Sequence, residues 1–557
     1  MKKAPNFSIL NRATEIERLQ TEKFDLAIIG GGVTGAGIAL DAASRGLKVC
    51  LIEKKDFASG TSNKSTKLIH GGLRYLKQFE IGLVRESGSE RAIVHKLAPH
   101  LVIPEKMLLP LIEDGTYGKL MTSIGLRVYD FLADVKGDDV RIMLDKTETI
   151  EKEPLLNKDT VLGGGLYAEY RTDDARLTIE ILKKAASFGA TIINYCEMES
   201  FAYNKDDKIK NLNCVDHISG NTIKIKARNY VSAAGPWVDK LRIKDQSMTN
   251  KYLHLTKGVH IVIPFKKLPI KQPIYFDVTD GRMVFAIPRG RTTYIGTTDT
   301  NYSGNIDHVI ATKNDANYLL DAINRAFPNI KLTIDDIESN WAGLRPLIHK
   351  KNKAPSELSR KDELFISKSG LISIAGGKLT GYRKMAHRAI EAVLETMTSK
   401  QKENLKPSKT EHIPLVTPTL ENTDLVKNYQ KELEQELCEL GISDPYYAWY
   451  LCTTFGKQSD TILEKSKVFE NTDPKERLIR AELWFCIQHE MTNTLSDFFV
   501  RRTGRLYFNI ESVSGFKNLI TDDFSKYFNW SPERILKEKE KLDQLIKDAT
   551  YFYEEEF

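Results

Sequence analysis

No stretch of the 557-residue chain approaches the ~20 consecutive apolar residues that a membrane-spanning helix needs. Cysteine is scarce. Cys50, Cys196, Cys214, Cys438, Cys452 and Cys486 are scattered without a C-x-x-C pair, which argues against a zinc site and against a disulfide framework, and the expected compartment is reducing and cytoplasmic. A marked excess of one charge is missing too. The 81 Lys and Arg against 75 Asp and Glu leave +6, too little over this length to demand a nucleic-acid partner. An anionic substrate or an anionic membrane surface would suit that balance equally. The first nineteen residues, Met1 to Leu19, carry two early lysines but no apolar run of signal-peptide length. There is no EF-hand loop, no P-loop and no internal repeat. What is present is 41% hydrophobic and 28% charged residues, a soluble globular composition on a chain long enough for about three or four domains.

Phe24 to Glu53 reads as an apolar strand, a glycine turn, a helix of small residues and a second apolar strand ending on an acid. That order predicts a βαβ unit. Gly30, Gly32 and Gly35 hold the G-x-G-x-x-G positions after the strand Asp25 to Ile29, where a tight turn brings bare backbone up to a pyrophosphate on a helix N-terminus. Glu53, ~23 residues after Gly30, stands where a carboxylate accepts hydrogen bonds from the hydroxyls of an adenosine ribose. No basic residue replaces it, so a 2′-phosphate is disfavoured. A glycine triplet alone would serve equally as a packing turn; strand, helix and terminal acid together point to dinucleotide binding. Ser59 to Leu76 follows, rich in hydroxyls, then glycine, then basic residues. Such a stretch suits the close approach of a second part of the cofactor, or an ordinary loop.

With this segment the chain resembles the FAD-dependent sn-glycerol-3-phosphate dehydrogenases, the aerobic, quinone-linked kind. The likeness rests on Gly30 to Gly37 and Ser65 to Leu76, and continues in order through Tyr170 to Leu177, Ala233 to Val238, Lys257 to Val262, Gly296 to Asp299, Ala342 to Leu347 and Gly376 to Arg383. It covers roughly residues 24 to 395 well and the remainder more thinly. Gly381 stands where the family pattern expects threonine, and Asn63-Lys64 stands in a usually smaller, serine-rich stretch. The resemblance implies an α/β fold with a Rossmann-like FAD-binding domain of the glutathione-reductase/D-amino-acid-oxidase type, an antiparallel-sheet substrate domain and an all-α C-terminal domain. The expected division is 1–80, 166–245 and 336–395 for the FAD domain, 81–165 for a helical insertion leading into the substrate domain, and 246–335 for the substrate sheet. A charged linker, 396–411, then precedes the helical domain 412–557.

Along the chain, Arg12 to Gln20 reads as a solvated helix. Glu80 to Asp145 is expected to be mostly helical, with Pro99, Pro104 and Pro110 as boundaries. Arg171 to Gly189 reads as an amphipathic helix leading into a strand Thr191 to Glu199, a crossover back to the first sheet. Thr222 to Ser232 is a further strand, and Gly235 ends it at the carboxyl edge, where open α/β sheets bind ligands. Leu253 to Asp299 alternates in short runs broken by Pro and Gly, the pattern of an antiparallel sheet. A strand Ile372 to Ala375 and a helix starting near Thr380 close the cofactor domain, and that helix start can stabilise negative charge on a reduced flavin. Glu490, Asp497, Arg501 and Arg502 resemble the family's C-terminal pattern, but helix-face ion pairs are the preferred reading for them.

By resemblance the reaction moves a hydride from C2 of glycerol 3-phosphate to the flavin while the C2 hydroxyl loses its proton, giving dihydroxyacetone phosphate. Arginine is too basic to accept that proton, whereas histidine titrates near ~6.5. His260 is therefore the candidate base, although a lone strand histidine is more often a hydrogen-bonded core residue. Arg345 shares the catalytic assignment. The phosphate is expected to meet Arg74, Arg345, Arg360, Lys378 and Arg383, with Tyr75 and Thr298 completing the shell. The FAD, one per chain and held non-covalently, is expected on Gly30, Gly32, Gly35, Glu53, Ser62, Ser65, Thr66, Lys67, His70, Gly71, Gly235, Gly376, Gly377, Lys378 and Thr380; no metal is expected. With one dinucleotide fingerprint there is no evident nicotinamide site, so electrons should leave to a membrane quinone, the acceptor the family implies. Reversible docking on the inner face of the cell membrane follows, and a homodimer is open. Rival readings are a glycerol-3-phosphate oxidase that reduces oxygen to hydrogen peroxide, an amine or amino-acid oxidase of the same superfamily, and an RNA-binding flavoprotein.

Overall fold

The strand Lys23–Ile29 forms because its apolar run can be buried on both faces. It lies between Val49–Ile52 and Thr222–Ser232, parallel to both, with Ala27 opposite Cys50 on one side and Tyr230 on the other. In the computed structural model, residues 7–70, 81–113, 140–350, 361–469 and 473–554 are described. The expected site positions Gly71, Arg74, Tyr75 and Arg360 lie outside them.

This first sheet has eight strands and is parallel through its centre, where Leu371–Ala375, Thr222–Ser232, Lys23–Ile29, Val49–Ile52 and Thr191–Ile193 stand side by side. The expected strand Thr191 to Glu199 is split. Thr191–Ile193 stays in the parallel core, and Tyr195, at φ +56°, turns the chain so that Cys196–Tyr203 pairs antiparallel with Ile209–Asp216. Helix Val33–Arg45 covers one face and packs against helices Asp174–Ser187 and Tyr382–Glu395. Its small side chains allow that approach: a Cβ on Gly37 would stand 2.9 Å from the Tyr382 ring.

The second sheet has ten strands and is mainly antiparallel, centred on the long strand Lys251–Pro264. Two expectations change here. Ile103–Ile112, inside the stretch expected to be mostly helical, is a strand that pairs along Val161–Arg171. Pro104 and Pro110, which lack an N–H and clash with a preceding helical turn, forbid the helix; in the ladder they sit opposite Tyr170 and Gly164. Only Ile81–Leu97 of the N-terminal part is helical among the described residues. Secondly, Ser339–Lys350 does not join the first sheet. It runs antiparallel to Lys251–Pro264 from Lys350 opposite Lys251 to Ser339 opposite Val262, so the substrate sheet extends into the segment assigned to the cofactor domain.

The chain beyond residue 411 is helical, with Thr423–Glu439, Tyr446–Phe455, Pro474–His489, Ile510–Phe528 and Pro532–Thr550 as its main elements. These helices share one apolar cluster with the first sheet, which runs from Leu26 and Leu51 through to Phe485 and Phe498. The stretch between the two regions is tied down by the bond from the Lys406 N–H to the Arg45 carbonyl, 2.9 Å. Glu490, Asp497, Arg501 and Arg502 are not an exposed helix-face set. Glu490, Asp497 and Arg502 are buried and Arg501 half-buried, and they pair across the chain, Glu490 with Arg176 and both arginines with Asp56. No described helix is long and apolar enough to cross a membrane.

Candidate active site

The glycine turn after Lys23–Ile29 is built for close approach. Gly30 has φ +116°, and a Cβ there would meet the Ala233 carbonyl oxygen at 2.6 Å; a Cβ on Gly35 would stand 1.9 Å from the Gly30 oxygen. Gly30 and Gly35 therefore let strand, turn and helix pack. Gly32 does something different: its missing side chain opens the helix N-terminus, and only Ser62 Oγ would lie near a Cβ, at 3.1 Å. That hydroxyl accepts the Val33 N–H at 3.0 Å. Glu53 closes this end, accepting the Gly31 N–H at 2.8 Å and the Lys55 N–H at 2.9 Å. Burial raises its carboxyl pKa, and the two N–H groups oppose the rise.

Two cavities meet over this helix start. The first runs from Glu53, Cys196 and Trp237 past Gly30, Gly32 and Gly235 to Gly376 and Gly377. The second shares Val33, Thr61, Ser62, Gly377 and Lys378 with it, so the two form one trough. Its far part is walled by Ser65, Thr66, His70, His260, Arg345 and Thr380, with Tyr275 and Phe285 stacked at 4.1 Å. A waist of bare backbone at a helix N-terminus, shared by the two cavities, suits a dinucleotide, with Glu53, the expected adenosine-ribose partner, at one end.

His260 is 1% exposed, lies on the strand Lys251–Pro264 and borders the far cavity. Its Nε2 bonds Thr66 Oγ1 at 3.0 Å, and its buried Nδ1 has no hydrogen-bond partner among the described residues. The ring stacks on Trp341 with centroids 4.7 Å apart. Burial, then the charges of Arg345 and Lys67, push the imidazole well below 6.5. Gly296 faces it without a side chain, since a Cβ there would overlap the ring.

Arg345 crosses the same face. Its Nη2 donates to Thr297 Oγ1 at 2.8 Å, and its Nη1 donates to the Thr298 carbonyl at 3.2 Å and Asp299 Oδ1 at 3.3 Å. Gly258 makes this possible, because a Cβ there would collide with the guanidinium. Lys378 borders both cavities, and Lys64 and Arg282 add positive charge to the far one. Burial, with Lys55 second, lowers the Lys64 ammonium to about 8. Of the two carboxylates among the described residues lining the far cavity, Glu169 is paired with Arg91 and Asp299 with Arg345, and Arg282 is held by Asp280. Four lining cations, Lys64, Arg282, Arg345 and Lys378, against these two carboxylates favour an anion.

Besides Gly35, which packs the turn and lines neither cavity, three expected residues are not brought to the trough. Arg383 is turned into the protein, where Glu90 accepts its Nε at 2.9 Å and Thr410 its Nη1 at 3.3 Å; the buried Glu90 carboxylate claims the guanidinium. Lys67 is buried behind the cofactor loop against Asp174 at 2.5 Å. Thr298 is 2% exposed and its hydroxyl accepts the Val259 N–H, which ties the link after Thr292–Gly296 to the strand Lys251–Pro264. Ser65 and Thr380 line the trough while bracing its loops: Ser65 Oγ accepts the Lys67 N–H, and the Thr380 hydroxyl bridges the His70 N–H and carbonyl. Sequence reasoning missed Trp341 and Arg282. Trp341 was findable, because period-two alternation places 341, 343 and 345 on one face of a strand.

The FAD dependent oxidoreductase family matches residues 25–383, and the family described as the C-terminal domain of alpha-glycerophosphate oxidase matches 408–535. An aerobic glycerol-3-phosphate dehydrogenase of Bacillus subtilis is 47% identical over 98% of each chain. One from Staphylococcus aureus is 47% identical over 96% of each. The crystal structure of the glycerol-3-phosphate dehydrogenase from Bacillus halodurans complexed with FAD superposes with a TM-score of 0.82 at 41% identity, covering 98% of this chain and 99% of that one. A glycine-lined trough on a Rossmann-like sheet, an anion-favouring cavity beside a buried histidine and likeness along nearly the whole chain lead to one conclusion: this protein belongs to the FAD-dependent aerobic glycerol-3-phosphate dehydrogenase family.

Proposed function

We propose that the chain oxidises sn-glycerol 3-phosphate to dihydroxyacetone phosphate and passes the electrons to a membrane quinone, docking reversibly on the cytoplasmic face of the membrane. The observation that carries this reading is the convergence of Arg345 and Lys378 with a desolvated, neutral His260 in the far cavity. FAD, when bound, supplies the hydride acceptor. Arg345 offers a planar fork to the phosphate, with Lys378 as a second cation, so the substrate is oriented by its anionic end. His260 accepts the proton of the C2 hydroxyl. Its neutral state leaves a nitrogen lone pair for that purpose, and Trp341 and Thr66 hold the ring still. Gly296 and Gly258 keep the floor clear of side chains.

The acceptor is tested by assaying the FAD-loaded protein with glycerol 3-phosphate in air, with and without a short-chain quinone. Quinone reduction equal to substrate consumed, with little peroxide, supports the proposal. Peroxide formed in equal amount to dihydroxyacetone phosphate, unaffected by quinone, supports the oxidase reading instead.

A further inference from the structure

A buried ion network ties the C-terminal helices to the adenosine end of the trough. Asp56 stands three positions beyond Glu53 with its side chain fully buried, and accepts Arg502 Nη1 and Nη2 at 2.8 and 2.9 Å, together with Arg501 Nε. Asp497 accepts Arg501 Nη2 at 2.9 Å and the Tyr195 hydroxyl at 2.5 Å. Two carboxylates thus face two guanidiniums.

Both ends of this network, Asp56 and Tyr195, adjoin wall segments of the trough. The Tyr195 N–H donates to the Lys55 carbonyl and the Cys196 N–H to the Glu53 carbonyl, each at 2.8 Å. On the other side of Asp56, the Ala58 N–H donates to the Gly31 carbonyl at 3.0 Å, and Phe57 lies where a Gly31 Cβ would be, 2.7 Å away. Glu53, Lys54, Ser59 and Cys196 line the cavity that these bonds shape. The segment Asp497–Arg502 is a π-helix, a local form that costs hydrogen-bond geometry and recurs at functional sites. Buried ion pairs contribute little net stability over apolar packing, while removing one partner strands a charge. A network of this kind fixes geometry, and the geometry here is that of the loop over the adenosine end.

We propose that Arg501 and Arg502, acting through Asp56 and Asp497, are positioning residues that hold this loop closed and set how fast FAD leaves, so that the C-terminal region is a cofactor clamp. The test follows FAD fluorescence after dilution of the holoprotein, together with thermal melting, in Arg502→Met, Tyr195→Phe and the control Arg480→Met. Arg480 pairs with Asp523 at 2.7 Å among the C-terminal helices, away from the trough. Arg502→Met and Tyr195→Phe should release FAD about tenfold faster or more, and Arg480→Met should release it at the parental rate even where it melts earlier. If Arg502→Met does not fold, Tyr195→Phe, which removes one hydroxyl, still reads the effect. Parental release rates in the folded network variants, or equal acceleration in Arg480→Met, would overturn the clamp.

Discussion

His260 and Trp341 stand directly opposite one another on adjacent antiparallel strands, and their rings stack at 4.7 Å with planes inclined by 11°. The indole is itself fixed by its Nε1–H bond to the Ser65 carbonyl, 3.2 Å. The imidazole is thereby held between an aromatic plate and the Thr66 hydroxyl on the cofactor loop, desolvated and neutral. In its proposed role as base, a ring held this way would lose little geometry on substrate binding.

His260→Asn should lower the rate of substrate-driven flavin reduction by roughly 10²- to 10⁴-fold while FAD content stays parental. Because burial, Arg345 and Lys67 hold the parental imidazole well below 6.5, it remains neutral at neutral pH, and reduction should slow only on the acid side of that value. Stopped-flow rates across pH read both effects. An unchanged rate in the variant would remove His260 from the chemistry.

Gly32 and Gly35 should fail differently. A side chain on Gly35 runs into the Gly30 oxygen, so Gly35→Ala should destabilise the fold by at least ~1–3 kcal/mol and lower the melting temperature. Gly32 has room for a Cβ, and Gly32→Val should fold yet lose FAD, because its methyls would fill the helix N-terminus proposed to take the pyrophosphate. Full flavin occupancy in Gly32→Val would contradict the assignment of the waist.

Stability should fall in mild acid. Burial, with Arg176 and Lys183 second, pushes His100 down to about 3, so the unfolded chain binds a proton that the folded chain refuses. That contribution is complete above about pH 6.5 and is lost as pH falls toward 3, on the order of 2 kcal/mol by pH 5. Asp56 and Glu490, held low by their guanidiniums, add their own loss at lower pH. His100→Gln should flatten the melting temperature between pH 7 and 5; an equal decline in the variant would place the acid sensitivity elsewhere.

Membrane docking should be electrostatic. Binding to anionic vesicles should fall steeply with salt, and neutral vesicles should bind little. Equal binding to both at every salt concentration would exclude the proposed docking.

The local patterns were legible and the distant pairings were not. Gly30, Gly32, Gly35 and Glu53 announced the βαβ unit because its requirements are met within thirty residues, and alternation announced the antiparallel sheet around His260. Pro104 and Pro110 suit helix boundaries by sequence, although the same missing N–H disfavours a helix running through them, and the chain there is a strand. Which charge meets which carboxylate was beyond reach: Arg383 follows a glycine turn like Lys378, yet only the fold puts Glu90 beside it. Asp56 and Arg502 are 446 positions apart, and no local periodicity encodes their meeting. A helix-face pattern for Arg501 and Asp497 is real at i, i+4, but it concealed the longer connection.

The central claim is that the far cavity recognises a phosphorylated polyol by Arg345 and delivers its hydride to FAD. It is tested most directly by anaerobic addition of glycerol 3-phosphate or glycerol to the FAD-loaded protein, parent and Arg345→Ala, with the visible flavin absorbance as readout. The parent should bleach with glycerol 3-phosphate and not with glycerol. Arg345→Ala should lose about a hundredfold in efficiency on the phosphorylated substrate, equivalent to about 2 to 3 kcal/mol, and Arg345→Lys should recover little of it because an ammonium lacks the fork. Equal bleaching by both compounds in the parent, or an undiminished response in Arg345→Ala, would contradict the account.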